Sequence, residues 1–478
     1  MTASSSGLSQ NKKIEFWRWF APLATLLIIW CIPCPEGLTQ QAWHLFAIFV
    51  ALIVSVLTEP LPTGAMSFIA LALAIFSNSL TLGQALKGFS SGSVWLIVSA
   101  FILSISFVSS NLGRRIAYKM LSIFGSSSLG VAYALSFADL IMAPAMPSVT
   151  ARSGGIILPI VKSINLVMGS KPGESGKKIG DFLIMACFQI TPITGAFFLT
   201  GMAANPLCAE LAKQSFGVEI QWIDWLIAAF APCLVCFALV PYLVYKIVRP
   251  TMTHTPEAKA MGREELIRMG PMSRTEKIVL VGFIGAMIAW GTCLWTGLNA
   301  NAIGIGLVAY LFATGALKWN EVLQEKGAWD TLIWFGTIVG LATGLASLGF
   351  IKWMSDSLAN SLTGFSWEVA FLMLGVAYIY VHYIFATAVG HTGALYVPFA
   401  AVAIGAGAPP VMTAICFGLY SNIMWSLTEY AGGPGPLYYG QNYFARPRFY
   451  RINFVVVTVN TVLTLVIGMF WWKLIGLY

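Results

Sequence analysis

The stretch that decides the fold is Met142–Gly155, MAPAMPSVTARSGG, which interrupts a long apolar part of the first half of the chain. Its two prolines remove backbone donors, and its two glycines relax the chain. Side chains that donate hydrogen bonds lie between them: Ser148, Thr150, Arg152 and Ser153. Exposed to lipid, such a break would leave costly unsatisfied backbone groups. The stretch must therefore be buried in protein or line a wet cavity, and it is a candidate binding site.

The composition is that of a membrane protein. Of 478 residues, 58% are hydrophobic and 10% are charged, and the mean hydropathy is +0.79. Soluble domains carry about 25% charged residues, whereas apolar runs of spanning length recur along this chain. We therefore predict an all-α polytopic membrane protein with about eleven transmembrane helices.

The positive residues behind the net charge of +8 are distributed among the loops and not clustered in one patch, so they do not indicate a nucleic-acid partner. Threading the spans from a cytoplasmic amino terminus places nearly all lysines and arginines on one side, as the positive-inside rule requires. The four that fall opposite are Lys87, Lys213, Lys352 and Lys473. We expect a multi-pass protein of a bacterial inner (cell) membrane, with the lipid bilayer as a partner and the amino terminus in the cytoplasm.

Two interrupted spans indicate an internal repeat. Leu199–Pro206 (LTGMAANP) and Leu427–Pro434 (LTEYAGGP) have the same residue at four of eight positions. Each repeat would contain five crossings, an odd number, so we predict inverted repeats, each with a re-entrant hairpin. The predicted parts are a cytoplasmic tail and extra span 1 (1–40), a first repeat of spans 2–6 (41–248) with an inner hairpin (about 129–163), a cytoplasmic linker (249–274), and a second repeat of spans 7–11 (275–478) with an outer hairpin (about 367–404).

The breaks have the chemistry of an anion site. Helix ends present unpaired N–H groups and positive dipole ends, and ionised carboxylates only accept hydrogen bonds. An arginine at membrane depth is by default a functional candidate, and the alternative is that Arg152 pairs with Asp139 and only stabilises the fold. His391 is likewise either a functional residue or a hydrogen-bonded histidine that only stabilises the fold. Further side-chain donors at the breaks are Ser148, Thr150, Thr200, Asn205, Thr392 and Thr428.

No pattern in the sequence indicates catalysis or a metal. H-E-x-x-H is missing from the sequence, and the pairs Cys31/Cys34 and Cys233/Cys236 lie in apolar surroundings where cysteine packs as a small hydrophobe. We predict no enzyme activity, no cofactor and no metal. The roles of Glu429 and Asp139 stay open.

These residues together resemble the divalent anion/sodium symporter family. The resemblance covers essentially the whole chain, and it is closest to the branch of bacterial citrate/succinate and tartrate/succinate antiporters and chloroplast 2-oxoglutarate/malate translocators. It rests on both hairpins with their broken helices and on the motifs Gln41–His44 (QAWH), Gly88–Ser91 (GFSS), Leu112–Arg115 (LGRR), Thr150–Arg152 (TAR) and Phe385–Ala386 (FA).

The resemblance implies an elevator mechanism. A dimerising scaffold, mainly spans 1–4 and 7–9, would hold a transport domain made of both hairpins and both broken helices. Family positions at the tips and breaks, with Arg152 added, give the predicted substrate-binding set: Ser148, Val149, Thr150, Arg152, Thr200, Gly201, Asn205, Gly390, His391, Thr392, Thr428, Gly433 and Pro434.

The chain departs from sodium-coupled members at both tips. Val149 replaces the usual Asn at the first tip, and His391 stands where those members have Asn. We hypothesise that Arg152 and His391 replace two sodium ions, and that a homodimer exchanges dicarboxylates of the succinate, malate, fumarate and 2-oxoglutarate class. The alternatives are a sodium-coupled di- or tricarboxylate (citrate or tartrate) symporter and a citrate/succinate antiporter. The sequence does not rank these carboxylates or give the direction of exchange.

Overall fold

The computed structural model describes residues 16–359 and 366–478. The predicted tail at residues 1–15 lies outside this part. The longer helices of the first half are α1 (Phe16–Cys31), α2 (Gln40–Thr58), α3 (Thr63–Phe76), α4 (Gly92–Ser109), α5 (Leu112–Phe124), α6 (Ser128–Met142), α7 (Leu158–Val167), α8 (Gly180–Ala196), α9 (Ala204–Phe216) and α10 (Trp222–Val248).

The second half begins with a helix that the linker forms. The longer helices here are α11 (Pro256–Met269), α12 (Arg274–Gly291), α13 (Ala300–Ala313), α14 (Lys326–Ser347), α15 (Phe350–Ala359), α16 (Trp367–Tyr380), α17 (Ala388–Gly405), α18 (Pro410–Ile423) and α19 (Arg446–Leu474).

The predicted all-α polytopic architecture is confirmed. Within the described ranges, nine helical segments are long and apolar enough to cross a membrane, and three shorter apolar helices accompany them. The shorter ones are Arg18–Cys31, Thr63–Phe76 and Ala300–Ala313.

The two halves have the same order of elements. Apart from the extra helix α1 and the linker helix α11, each half has three apolar helices followed by a short helix (α5 or α15), a pair of helices joined by a tight tip, a broken helix and a long last helix. The sequence analysis did not predict α5 and α15, because the pairs Leu112-Gly113 and Leu348-Gly349 have the local pattern of a helix end. The chain does turn there, with φ of 66° at Asn111 and 79° at Gly349, but it starts a new helix at once. The opposite orientation of the halves stays a prediction.

The segment 249–274 is a structured bridge. Its helix α11 packs against α5, and at Gly262 a Cβ atom would lie 3.0 Å from the carbonyl oxygen of Tyr118, so only glycine permits this approach without a shift. Near the start of α5, Arg115 Nε lies 2.6 Å from Glu276 Oε1 at the start of α12. The bridge therefore ties α5 to the second half.

The first broken helix lies in the centre of the molecule. All residues of α8 are buried, and it packs against α6, α10 and α18. Because no face of α8 meets solvent, its polar side chains bond within the protein: Gln189 Nε2 donates to Asn453 Oδ1 at 2.8 Å. The break that follows α8 is held in place by this packing.

Candidate functional site

The first tip connects α6 to α7 through Met142–Gly155. Pro144 and Pro147 cannot donate backbone hydrogen bonds, so α6 gives way to the 3-10 turn Ala143–Ala145 and an extended link. The chain then continues as a π-helical segment, Thr150–Ile157, a form that is frequent at functional sites. The Ser148 hydroxyl accepts a hydrogen bond from the backbone N–H of Ala151 at 3.2 Å and so caps this segment.

The second tip has the same construction. A 3-10 turn, Val381–Ile384, ends the first arm, and Thr387 is the N-cap of α17. The Thr387 hydroxyl accepts from the N–H of Gly390 at 2.9 Å. Thr387 therefore corresponds to Ser148 in place and function, and each cap is followed by an apolar residue, Val149 or Ala388.

Both tips and both breaks meet at one cavity of about 380 Å³. A cavity of this size suits a small organic anion. Trp425, Pro436, Glu59 of the α2 end and Phe101 of α4 complete the wall. The four converging stretches are Pro147–Thr150, Met202–Ala203, Ala386–Val389 and Tyr430–Gly433.

A second polar cavity lies away from the tips. It has a volume of about 540 Å³ and is bounded in part by Ser93, Lys213 and Glu219. Lys213 is paired with Glu219 there, with Nζ and Oε1 2.8 Å apart, and Glu210 adds a further carboxylate. Its basic group is thus already neutralised, and we place the anion site at the tips.

Four of the predicted residues line the cavity between the tips: Ser148, Val149, Thr150 and Gly433. The approach is close, since a Cβ atom on Gly433 would lie 1.8 Å from Thr150 Oγ1. The second break therefore rests directly on the first tip, and glycine is required at this contact.

The predicted residues of the first break lie outside the cavity wall and stabilise the break. The Trp222 indole N–H donates to Thr200 Oγ1 at 3.1 Å. Asn205 Nδ2 donates to the carbonyl oxygens of Gly195 in the last turn of α8 at 2.9 Å and of Phe198, just after α8, at 2.8 Å. The Asn205 side chain thus satisfies backbone groups that the break would otherwise leave unpaired.

The remaining predicted residues of the second half also lie outside the cavity wall. Gly390, His391 and Thr392 are in the first turns of α17, three or more residues beyond the cap Thr387. The Thr392 hydroxyl donates to the Ala388 carbonyl at 2.8 Å. The Thr428 hydroxyl accepts from Ala431 N at 3.2 Å, and Pro434 starts the short helix Pro434–Tyr439.

Arg152 is fully buried beneath the first tip. Its Nε lies 2.8 Å from Asp139 Oδ1, so the ion pair considered as an alternative is present. Its Nη1 also donates to two carbonyl oxygens, Met146 at 2.6 Å and Gly201 at 3.0 Å. One of these belongs to the tip and the other to the first break. Hard cations also prefer carbonyl and carboxylate oxygens as ligands. The guanidinium group therefore lies where the surrounding oxygens could also bind a metal cation.

His391 lies beneath the second tip and is equally buried. Its Nδ1 is 3.0 Å from Nδ1 of His382, and its ring contacts the rings of Tyr378 and Phe385, with centroids 4.5 Å and 4.7 Å away. Among the described residues, neither a carboxylate nor a backbone carbonyl is bonded to the His391 side chain. The two tips are therefore supported differently.

Sequence reasoning missed several residues of the cavity wall. Thr387 carried the usual signal of an N-cap, a threonine just before a helix. Trp425 carried none, yet it lines the cavity, and its buried indole N–H has no acceptor in the described part of the chain. Tyr430, whose hydroxyl donates to the Tyr383 carbonyl at 2.6 Å, joins the second break to the second tip.

A cavity between two helix breaks inside a bundle of apolar helices defines a membrane transporter. The chain matches, over residues 13–478, the family described as the sodium:sulfate symporter transmembrane region, and it belongs to that family. The resemblance drawn from the sequence is thus confirmed.

Two relatives match along nearly all of this chain. It is 40% identical over 477 residues to the putative malate transporter YflS of Bacillus subtilis (strain 168), covering 100% of both. It is 40% identical over 461 residues to the chloroplastic dicarboxylate transporter 1 of Spinacia oleracea, covering 96% of this chain and 81% of that protein.

Two solved structures share the fold. The YdaH transporter of Alcanivorax borkumensis superposes with a TM-score of 0.57 at 12% identity, covering 91% of this chain and 99% of that one. MtrF of Neisseria gonorrhoeae gives a TM-score of 0.60 at 13% identity, covering 94% and 97%. At these identities the likeness concerns the fold alone.

Proposed function

We propose that this protein exchanges C4–C5 dicarboxylates across the membrane without sodium, and that the dianion binds in the cavity between the two tips. The observation that carries the proposal is the pair of hydroxyl-capped tips, Ser148 and Thr387, facing one cavity. The relatives named as malate and dicarboxylate transporters support the substrate class.

The cavity suits a molecule with a carboxylate at each end. Helices starting at Thr150 and Ala388 direct their positive ends at it, and the hydroxyls of Ser148, Thr150 and Thr387 lie in or beside its wall. None of the described residues that line the cavity is basic. The helix start and the hydroxyl groups at each tip would therefore bind one carboxylate group of the dianion. A third carboxylate would lack a matching donor, which favours dicarboxylates over citrate.

The environment of the tips supports independence from sodium. After each cap hydroxyl the chain places a hydrocarbon side chain, Val149 or Ala388, which offers no oxygen ligand to a cation. At the first tip Arg152 already holds the converging oxygens of Asp139, Met146 and Gly201. At the second tip we assign the corresponding positive or hydrogen-bonding group to His391.

Obligatory exchange follows from the empty site. Each helix start carries about half a positive elementary charge, so two of them without an anion leave about one charge uncompensated. Moving that charge through a low-dielectric barrier is costly, whereas in the loaded site the two charges of the dianion are balanced by the two helix starts together with one positive charge on His391. The carrier would therefore cross the membrane loaded in both directions.

We further propose that the two hairpins and broken helices move as one transport domain against a homodimeric scaffold, mainly α1–α4 and α12–α14. In the predicted topology the carboxyl end of α2 faces the cytoplasm, in a bacterial inner membrane with a cytoplasmic amino terminus. Glu59 at that end lines the cavity, so this conformation is the inward-facing one.

Uptake of radiolabelled succinate into proteoliposomes tests the proposal. Vesicles would be preloaded with succinate, malate, 2-oxoglutarate, citrate or nothing, each with and without sodium. We expect uptake only into vesicles preloaded with dicarboxylate, unchanged by sodium. Sodium-driven uptake into empty vesicles would instead support the alternative that the family description suggests, a sodium-coupled di- or tricarboxylate symporter. Citrate as an efficient counter-substrate would indicate a citrate/succinate antiporter.

A further inference from the structure

Two buried histidines lie in contact behind the second tip. His382 is in the 3-10 turn that ends the first arm, and His391 is in α17, and both are 0% exposed. Their Nδ1 atoms are 3.0 Å apart. A contact of this length between two ring nitrogens needs one donor and one acceptor, so a single proton lies between them.

The pair is isolated from other charges. Its immediate neighbours are the rings of Phe385 and Tyr378, and the Tyr378 hydroxyl is engaged with Ser421 Oγ at 2.8 Å. In the part of the chain that the structure describes, the Nε2 atoms of both histidines lack a hydrogen-bond partner.

The helices packed round α17 carry other ionisable groups, but none of those in the described ranges is hydrogen-bonded or ion-paired to either imidazole. They are His44 of α2 and Glu59 at its end, Cys208, Glu210 and Lys213 of α9, Lys352 and Asp356 of α15, Glu368, Tyr378 and Tyr380 of α16, and Cys416 and Tyr420 of α18. A change in charge at the pair is therefore decided by the two histidines themselves and by what occupies the cavity.

We propose that the His382–His391 pair is a proton-binding site that takes up one proton when the dicarboxylate binds. The inference rests on the proposed function, because the dianion is what favours the proton. His391 reaches the tip directly: its backbone N–H donates to the carbonyl oxygen of the cap Thr387 at 3.1 Å. A dianion seated at that cap stabilises a positive charge one helical turn behind it.

The proton balance is simple. In the neutral pair one imidazole donates Nδ1–H to Nδ1 of the other and keeps a lone pair on its Nε2. A proton from solvent binds that Nε2, and the imidazolium so formed continues to donate Nδ1–H to its neutral partner. A second proton would place two positive charges about 3 Å apart, so the pair holds at most one. No other bond changes and no electron is transferred.

In this account His382 is a positioning residue. It does not line the cavity, and it acts by holding Nδ1 of His391 in the shared proton bond. Replacing it should therefore change the proton linkage of substrate binding more than the binding of the dianion itself at acidic pH.

Calorimetry of fumarate binding to the purified full-length protein in sodium-free buffer tests this directly. Fumarate stays a dianion near neutral pH, so it takes up no proton itself. Titrations in two buffers with different enthalpies of protonation give the number of protons bound per fumarate. We expect about one proton for the wild type at a pH between the pKa of the empty pair and the higher pKa of the loaded pair, with the affinity falling up to about tenfold per pH unit there.

His382→Gln should lose the proton uptake and bind fumarate with a pH-independent affinity. His391→Asn is the second variant that removes the pair. His44→Gln is the matched control, because His44 stacks on Trp30 at 3.7 Å, far from the tips, and the control should keep the uptake.

Fumarate binding by the wild type without proton uptake from pH 6 to 9, or unchanged uptake in a folded His382→Gln protein, would overturn the inference and leave the proposed function standing. Absence of binding by fumarate, succinate, malate and 2-oxoglutarate would overturn both. The wild-type measurement decides the question even if neither variant folds.

Discussion

Arg152 shows how one side chain can stabilise a fold and also replace an ion. Its guanidinium neutralises Asp139 and, at the same time, satisfies carbonyl oxygens of the tip and of the first break. Removing it alone would leave a buried carboxylate unpaired, at a cost of about 3–5 kcal/mol. A single substitution therefore cannot separate the two functions.

The double variant Arg152→Gln with Asp139→Asn can separate them. Glutamine and asparagine keep a polar contact without burying a charge, so we expect a folded protein with nearly the thermal stability of the wild type. We expect succinate exchange to fall roughly tenfold or more, because the positive group among the converging oxygens is lost. The measurement is exchange with and without sodium; partial recovery by sodium would fit the account. Exchange at the wild-type rate would assign Arg152 to stability alone.

Thr387 and Thr392 provide a matched test of where the second tip lies. Thr387→Val removes a hydroxyl at the cavity wall that caps α17, so we expect the KM for succinate to rise roughly tenfold. Thr392→Val removes a hydroxyl that donates to the Ala388 carbonyl of its own helix and does not line the cavity, and we expect KM to stay within about twofold. Equal effects, or a larger effect at Thr392, would favour the tip Gly390–Thr392 drawn from the sequence.

At the scale of the elements, glycine at the second break sets how closely it meets the first tip. Gly433→Ala would place a methyl group 1.8 Å from Thr150 Oγ1, and either the tip or the break must move. We expect exchange below about a tenth of wild type while the protein remains folded, since cavity residues and not the core are displaced. The control is Gly155→Ala, whose Cβ would have open space around it and should leave exchange intact. Normal exchange by Gly433→Ala would show that this contact is not needed.

Much of the element pattern could be predicted because apolar runs and Pro/Gly breaks are local signals. The first repeat was predicted to begin at residue 41, and its first helix is Gln40–Thr58; the break around Thr200 lies where the sequence put it. The short helices α5 and α15 were missed because the chain reverses at Asn111 and Gly349, and a reversal reads locally as an end.

The candidate site was harder to predict, since it depends on which residue caps a helix. The sequence placed the second tip at Gly390–Thr392, three residues beyond the cap Thr387, and this placement stays a prediction because a helix start cannot be fixed from sequence to better than a few residues. The contact of Arg152 with Gly201 joins segments that are 49 residues apart in the chain. Only the folded structure brings them together.

At the scale of the whole molecule, the account requires the tips to move against the scaffold. Gly390 of α17 lies against Val56 of α2, and a Cβ at Gly390 would be 3.8 Å from Cβ of Val56. That is the usual Cβ separation of a disulfide. We expect the double variant Val56→Cys with Gly390→Cys to form the crosslink on oxidation, to stop exchanging succinate, and to recover on reduction.

The control for the crosslink is Gly390→Cys with Val56→Ala, which cannot form it and should be insensitive to oxidation. Full exchange activity with the crosslink formed, as shown by mass spectrometry, would mean that α2 and α17 do not separate during transport. The elevator proposal would then be wrong.

The central claim is that a dicarboxylate binds between the two tips without sodium, and the most direct measurement is substrate protection of a thiol placed there. Val389→Cys lines the cavity, and replacing Cys31 and Cys34 by alanine leaves native cysteines that are buried in the described structure. Lys213→Cys, in the other polar cavity, is the control. We predict that succinate in sodium-free buffer slows maleimide labelling at position 389 by roughly tenfold or more and leaves labelling at position 213 unchanged. Protection that appears only with sodium, or none at position 389 at saturating succinate, would contradict the account.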